Sequence, residues 1–100
     1  MGKRKQYNGT HDVRRVLIRR DGSVCHYCPT SMSLTKRDSP PEPHTMTLEH
    51  VVPESKGGPS TADNLVLACS ECNQKMDNQV FKCECNFCVR ARNRYYVVVL

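Results

Sequence analysis

Two C-x-x-C pairs constrain the fold of this 100-residue chain more than any other feature. The first pair is Cys25 and Cys28, and the second is Cys69 and Cys72. Four thiolates complete the tetrahedral shell that structural zinc prefers. A chain this short buries a small core and often needs a metal or disulfides for stability. We therefore predict a structural Zn²⁺ site that closes the loop between the two pairs.

Other uses of the thiols are less consistent with the sequence. The chain has seven Cys, and an odd number fits poorly with a complete set of disulfides. The basic residues 3–5 are not followed by an apolar stretch, so we expect no secretory signal and a reducing compartment. Gln6 stands where a myristoylation signal requires Ser or Thr, and no apolar run is long enough to span a membrane. These features predict a cytoplasmic protein with no membrane partner.

Three Cys lie outside the two pairs: Cys83, Cys85 and Cys88. They could bind a second zinc together with His11, His26 or His44, but no spacing selects one of these His residues. Buried or free thiols are the favoured interpretation of the three Cys. We interpret His26 as a stacking residue inside its C-x-x-C pair and not as a ligand.

The net charge of +5 is unevenly distributed along the chain. Residues 1–37 carry nine basic and two acidic side chains, residues 38–80 carry two and seven, and residues 81–100 carry four and one. The local net charges are therefore +7, −5 and +3. Basic ends favour binding to a phosphate backbone, and an acidic middle favours a bound cation.

The pattern of apolar and turn residues predicts a mixture of helices and strands. Val13, Val16 and Leu17 have helical spacing and predict a helix over 11–20, which Asp12 would cap and Gly22 would end. Short strands are expected at 45–52 and 65–68. Ser70 is the expected N-cap of a helix that runs to about Val80.

The predicted domain organisation is simple. Residues 1–10 are expected to form a flexible basic arm, and residues 11–94 one domain with a Pro-rich insertion at about 29–45. Residues 81–94 have no clear pattern. Residues 95–100 have strong β character and are expected to form a final strand or a tail.

The residues whose side chains could take part in a reaction occur in the order of these predicted elements. Glu49 and His50 lie near the end of the first strand, Asn64 begins the second strand, and Asn73 lies in the first turn of the helix. A β-hairpin packed on a helix can bring all four to one cleft. Neighbours on an ideal strand point to opposite faces, so Glu49 and His50 share a cleft only if the strand kinks or ends there.

This order, with both flanking Cys pairs, resembles the HNH endonuclease family in its zinc-knuckle form with Asn at the third position. The resemblance covers Cys25 to Lys75 without the Pro-rich insertion. It implies a small α+β fold with a ββα-metal (His-Me finger) core and a structural zinc site made of four cysteines. It also implies a metal-dependent DNA endonuclease that hydrolyses phosphodiester bonds by nicking or double-strand cutting.

The resemblance implies a role for each matching residue. His50 would be the general base, and Asn64 would hold the hairpin loop and orient His50. Glu49 and Asn73 would bind the catalytic divalent cation, and their oxygen atoms suit Mg²⁺ or Mn²⁺. The family usually has Asp before this His, and Glu is one methylene longer.

Partners follow from the same resemblance. DNA would be the substrate, with Lys56 and Lys75 as candidate phosphate contacts. Compact members of the family occur in bacteria and phages near DNA-packaging functions, which implies a phage terminase as a partner and the bacterial host cytoplasm as the location.

Two other functions were compared with the nuclease. A non-catalytic zinc module that binds nucleic acid or protein would use the same Cys pairs and basic ends, but it does not explain the Glu, His and Asn residues together. A zinc deaminase requires His or Cys two residues before Glu and then Pro-Cys-x-x-Cys. Here Glu49 directly precedes His50, and Ala68 precedes Cys69, so we reject that class.

Overall fold

The computed structural model describes residues 10–34 and 40–96, which form a two-stranded antiparallel sheet and three α-helices. The elements in chain order are α1 (Thr10–Asp21), β1 (Met46–His50), β2 (Leu65–Cys69), α2 (Ser70–Met76) and α3 (Asn86–Tyr95). This arrangement confirms the predicted small α+β fold. None of the helices in these two described ranges is long and apolar enough to cross a membrane.

The sheet is a hairpin that is covered on both faces. β1 pairs with β2 from Met46 opposite Cys69 to His50 opposite Leu65. Every residue of β2 is buried, which is typical of a strand packed on two sides. The first core cluster lies on one side and includes Val13 and Leu17 of α1. The second core cluster lies on the other side and is formed by four buried residues: Val51, Val66, Cys88 and Ala91.

β1 is shorter than the predicted strand over 45–52. It ends at His50: the Val51 N–H still donates to the Asn64 carbonyl at 2.8 Å in register with the ladder, but the Asn64 N–H donates to the Thr61 carbonyl at 2.9 Å, so the second bond of this pair does not form. The connection between the strands contains two short 3-10 turns, Glu54–Lys56 and Ala62–Asn64.

α1 follows the predicted apolar spacing. Val13 and Leu17 are buried against β2, and Gly22 stops the helix with a φ of 79° while its N–H donates to the Ile18 carbonyl. A left-handed residue at this place is the usual end of a helix, and glycine adopts it with little strain. Arg20 is fixed by hydrogen bonds to the carbonyls of Ala62 and Leu65, so this side chain supports the fold.

The prediction for α2 was wrong at both ends. Cys69 is the N-cap with an extended backbone, and Ser70 is already the first helical residue. The helix ends at Met76 and does not reach Val80, because Asp77 adopts a φ of 39° and its N–H bonds back to the Asn73 carbonyl. α2 is therefore a helix of two turns, and it packs against both strands of the hairpin.

The C-terminal segment also differs from the prediction. Tyr95 ends α3 and does not start a strand, and the remaining predicted residues 97–100 lie outside the described residues. Thr10 begins α1 and is not part of an arm, while residues 1–9 lie outside the described residues. Two isolated bridges, Val24 with Ser31 and Ser33 with Thr45, involve residues at the start and the end of the Pro-rich insertion.

Candidate active site and metal centres

A hollow of about 240 Å³ lies where the end of β1 meets α2. Glu49, His50 and Asn73 all contribute to its lining, together with Glu54 and Asp77. Glu49 and His50 share this hollow because β1 ends at His50, as the sequence argument required. Three of the four residues that the sequence analysis placed in one cleft, Glu49, His50 and Asn73, therefore line one hollow.

Glu49 is buried and paired with a lysine that the sequence analysis did not identify. Its Oε1 lies 3.0 Å from Nζ of Lys82, and the two side chains are 7% and 1% exposed. Lys82 also donates to the His50 carbonyl at 2.6 Å. Burial raises the pKa of the Glu49 carboxyl, while the hydrogen bond and charge of Lys82 oppose that shift. The other oxygen, Oε2, is buried and has no hydrogen-bond partner among the described residues.

His50 is half-buried at the rim of the hollow. Its Nε2 lies 2.9 Å from Oγ of Ser60 and 3.3 Å from Oε1 of Glu54. Burial lowers the pKa of His50, and Lys82 acts in the same direction, whereas Glu54 opposes it. A carboxylate only accepts hydrogen bonds, so an Nε2–H directed at Glu54 leaves Nδ1 as the proton acceptor of the ring.

Asn73 has a fixed amide orientation. Its Nδ2 donates to Oγ1 of Thr47 at 2.9 Å and to the Leu48 carbonyl at 3.2 Å. Thr47 Oγ1 itself donates to the Ala68 carbonyl at 2.7 Å, so it accepts from Asn73. Within the described part of the chain, no donor contacts Oδ1 of Asn73.

Asn64 is fully buried and holds the loop that follows β1. Its Oδ1 accepts from the Val52 N–H at 2.9 Å, and its Nδ2 donates to the carbonyls of Val52 and Pro59. A Cβ on Gly58 would lie 1.7 Å from the Val52 carbonyl oxygen, so this close approach requires glycine. Asn64 contacts the backbone two residues after His50 and does not contact the imidazole.

The two candidate phosphate-binding lysines lie on the surface outside the lining of the hollow. Lys56 is exposed in the first 3-10 turn. Lys75 is on α2, where its Nζ lies 3.1 Å from Oε1 of Glu71 with both side chains exposed. An exposed pair of this kind opens at little cost, so Lys75 remains accessible to another anion.

The two C-x-x-C pairs converge on one centre, the four-cysteine cluster. The sulfur atoms of Cys25, Cys28, Cys69 and Cys72 all lie within 4.8 Å of one another. The Sγ atoms of Cys28 and Cys69 are 3.8 Å apart, which matches the edge of about 3.8 Å for a tetrahedron with Zn–S bonds of about 2.3 Å. The backbone N–H groups of Tyr27 and Cys69 donate to Sγ of Cys25. The four-cysteine cluster can hold a metal such as zinc.

A second cluster corrects the interpretation of His26. Nε2 of His26 lies 3.3 Å from Sγ of Cys85 and 3.4 Å from Sγ of Cys88, and Cys83 completes the group. His26 does contact the Tyr27 ring edge-on, as a stacking residue would, but it also points into three thiols. The signal that could have found this group is a third C-x-x-C pair, Cys85 and Cys88.

Sequence reasoning also missed Lys82, the buried partner of Glu49, and Glu54, which lines the hollow. Lys82 is 33 positions from Glu49, and no local pattern marks it as a partner. Glu54 lies four residues after His50, but the connecting segment is irregular, so its spacing gave no signal.

Comparison with known proteins agrees with this geometry. No curated protein shows significant similarity to the chain. The family model described as HNH endonuclease matches residues 25–79, which is more than half of the chain. The matched segment contains both C-x-x-C pairs, the β-hairpin and α2, in the ββα order of this family's metal-binding fold. The chain therefore belongs to the HNH endonuclease family.

Proposed function

We propose that this chain is a metal-dependent DNA endonuclease that hydrolyses phosphodiester bonds. The supporting observation is that Glu49, His50 and Asn73 face one hollow at the end of the hairpin. A proton acceptor and two oxygen donors in one place are what hydrolysis of a phosphodiester requires. Membership of the family supports nuclease activity in general, and the roles below are our proposal.

Glu49 and Asn73 fit a hard divalent cation such as Mg²⁺ or Mn²⁺. Oε2 of Glu49 is a buried carboxylate oxygen without a hydrogen-bond partner among the described residues, which is costly unless a cation or a donor reaches it. Both hydrogens of the Asn73 amide are used, which fixes the orientation of the amide, and Oδ1 accepts no hydrogen bond from the described residues. A bound cation would polarise the scissile phosphate and stabilise the charge on the departing 3′ oxygen.

His50 is proposed to take the proton of the attacking water. The water oxygen forms the new bond to phosphorus, the water proton moves to Nδ1, and the bond from phosphorus to the 3′ oxygen breaks, after which this oxygen takes up a proton from solvent. Glu54 and Ser60 hold Nε2 and so fix the orientation of the ring. By analogy with the family, the products would carry 5′ phosphate and 3′ hydroxyl ends.

Asn64 is proposed as a positioning residue. Its three hydrogen bonds fix the loop from Val52 to Pro59, which carries Glu54 toward His50. It therefore acts on His50 through the backbone.

The charge distribution supports DNA as the substrate. The acidic middle of the sequence contains the hollow, and the basic ends flank it. Lys56 and Lys75 are proposed phosphate contacts because both are exposed on elements that border the hollow. A cytoplasmic location and a phage terminase partner stay predictions from the family resemblance.

A plasmid assay tests the nuclease against the alternative, a non-catalytic zinc module. Supercoiled plasmid is incubated with the full chain and Mg²⁺ or Mn²⁺, and nicked and linear products are separated on a gel. We expect cleavage by the wild type, and its loss in His50→Ala and in Asn73→Ala with the fold retained.

The matched control is His44→Ala, which removes an exposed His that does not line the hollow. We expect this variant to cleave like the wild type. Equal cleavage by the wild type and His50→Ala, or no cleavage by the wild type with either ion, would favour the binding module and refute the proposed mechanism.

A further inference from the structure

Four side chains outside the four-cysteine cluster form a second compact group of metal-binding atoms. They are His26, Cys83, Cys85 and Cys88, and their candidate ligand atoms lie within 4.8 Å of one another. Three thiolates and one imidazole are a common tetrahedral ligand set of structural zinc. We propose that the chain binds a second structural Zn²⁺ at this cluster of three cysteines and one histidine.

The distances suit a zinc ion. A tetrahedral centre with Zn–S of about 2.3 Å and Zn–N of about 2.0–2.1 Å separates N and S by about 3.6 Å. Nε2 of His26 lies 3.3 Å from Sγ of Cys85 and 3.4 Å from Sγ of Cys88. The imidazole therefore lies close to the place that a ligand would occupy, with its coordinating nitrogen directed at the thiols.

The second cluster repeats the local design of the first. Cys69 is the N-cap of α2 and Cys72 lies in its first turn, and in the same way Cys85 is the N-cap of α3 and Cys88 lies in its first turn. The backbone N–H two residues after a Cys donates to its sulfur in both clusters, from Tyr27 to Cys25 and from Cys85 to Cys83. Such N–H···S bonds stabilise a thiolate, which is the form that binds metal.

The chain around α3 needs a cross-link of this kind. The buried members of the second core cluster that come from this helix are Cys88 and Ala91, Phe87 packs against it only partly buried, and Phe81 is 68% exposed. Two buried apolar side chains contribute little against the conformational entropy of ordering a segment of about fifteen residues. A zinc ion would tie this segment to His26, which lies between two ligands of the first cluster.

The proposed site would also position Lys82 next to Glu49. Lys82 directly precedes the ligand Cys83, whose carbonyl accepts a hydrogen bond from Arg92 of α3 at 2.7 Å. The second zinc and Arg92 would therefore both fix the backbone next to this lysine and so hold it against Glu49.

The first test is the zinc content and ligand set of the purified full chain. Native mass spectrometry should give two zinc ions per chain. X-ray absorption at the zinc edge should give, over the two ions, seven sulfur ligands and one nitrogen ligand. One ion per chain with sulfur ligands alone would overturn the proposal.

Variants locate the second ion. Cys85→Ser should bind one zinc and keep the all-sulfur spectrum of the four-cysteine cluster, whereas His44→Asn, which alters an exposed His outside both clusters, should keep two. His26→Asn serves if Cys85→Ser does not fold, and its spectrum should lose the nitrogen contribution. Two zinc ions with an unchanged spectrum in either cluster variant would refute the assignment.

Discussion

Lys82→Met removes the positive partner of Glu49 from the least exposed ion pair among the described residues. The side chains of Lys82 and Glu49 are 1% and 7% exposed. The substitution also removes the hydrogen bond that Lys82 donates to the His50 carbonyl. Met keeps most of the aliphatic length, so packing changes little. We expect a large loss of stability, because a carboxylate in a buried site is left without its cation.

The size of the stability loss depends on whether Glu49 stays charged or becomes protonated in the folded variant. Leaving one charge of a buried pair alone costs about 3–5 kcal/mol. Protonating the carboxyl instead costs about 1.4 kcal/mol for each pH unit above its ordinary pKa of about 4.3, or roughly 3–4 kcal/mol at about pH 7. We therefore expect Lys82→Met to lower the free energy of unfolding by about 3–4 kcal/mol at neutral pH.

The same reasoning fixes the sign of the pH dependence. In the variant, folded Glu49 holds a proton that the unfolded chain releases, because burial raises the pKa of this carboxyl. Its stability relative to the wild type should therefore rise as the pH falls, by about 1.4 kcal/mol between about pH 7 and about pH 6.

Urea unfolding followed by circular dichroism, with Zn²⁺ in excess, measures these differences. The matched control is Lys75→Met, which breaks an exposed Lys–Glu pair on α2 and should have little effect. The double variant with Glu49→Gln should recover much of the loss. An effect of Lys82→Met no larger than that of Lys75→Met, or one independent of pH over this interval, would refute the charge argument.

Four further predictions concern the loop, the metal centre and the substrate. Asn64→Ala leaves the Val52 N–H and carbonyl unpaired in a buried loop and should cost about 2–4 kcal/mol in urea unfolding; an effect under about 1 kcal/mol would contradict its positioning role. Gly58→Ala forces the loop apart, since its Cβ would meet the Val52 carbonyl, and should lower the melting temperature; an unchanged temperature would contradict this contact. Cys28→Ser and Cys72→Ser should each lose the zinc of the four-cysteine cluster and unfold or aggregate, and full zinc with unchanged melting would argue against a structural role. Affinity for a DNA duplex should fall steeply with salt in a filter-binding titration, and a flat dependence would exclude contacts to phosphates.

Several parts of the site could be predicted from short stretches of sequence. The two C-x-x-C pairs indicated the four-cysteine cluster, because the spacing itself brings two sulfurs of each pair to one side of a tight turn. The order of strand, strand and helix was readable from runs of apolar residues with turn residues between them. These signals are local, so they can be interpreted without knowing how the elements pack.

Other features had no local signal. The end of β1 at His50 depends on the hydrogen bond from the Asn64 N–H to the Thr61 carbonyl, which takes Asn64 out of the ladder. The early end of α2 follows from the backbone of Asp77, a residue that tolerates helix as well as turn.

The sequence by itself determined which residues could bind metal and activate water, because residue type and short spacing are properties of the sequence alone. Only the tertiary structure decided which of them meet. Lys82 reaches Glu49 across 33 positions, and His26 reaches Cys85 across 59. Contacts over such separations are fixed by how the hairpin, α2 and α3 pack, and that packing is the sum of many weak burial and hydrogen-bond terms that no single motif records.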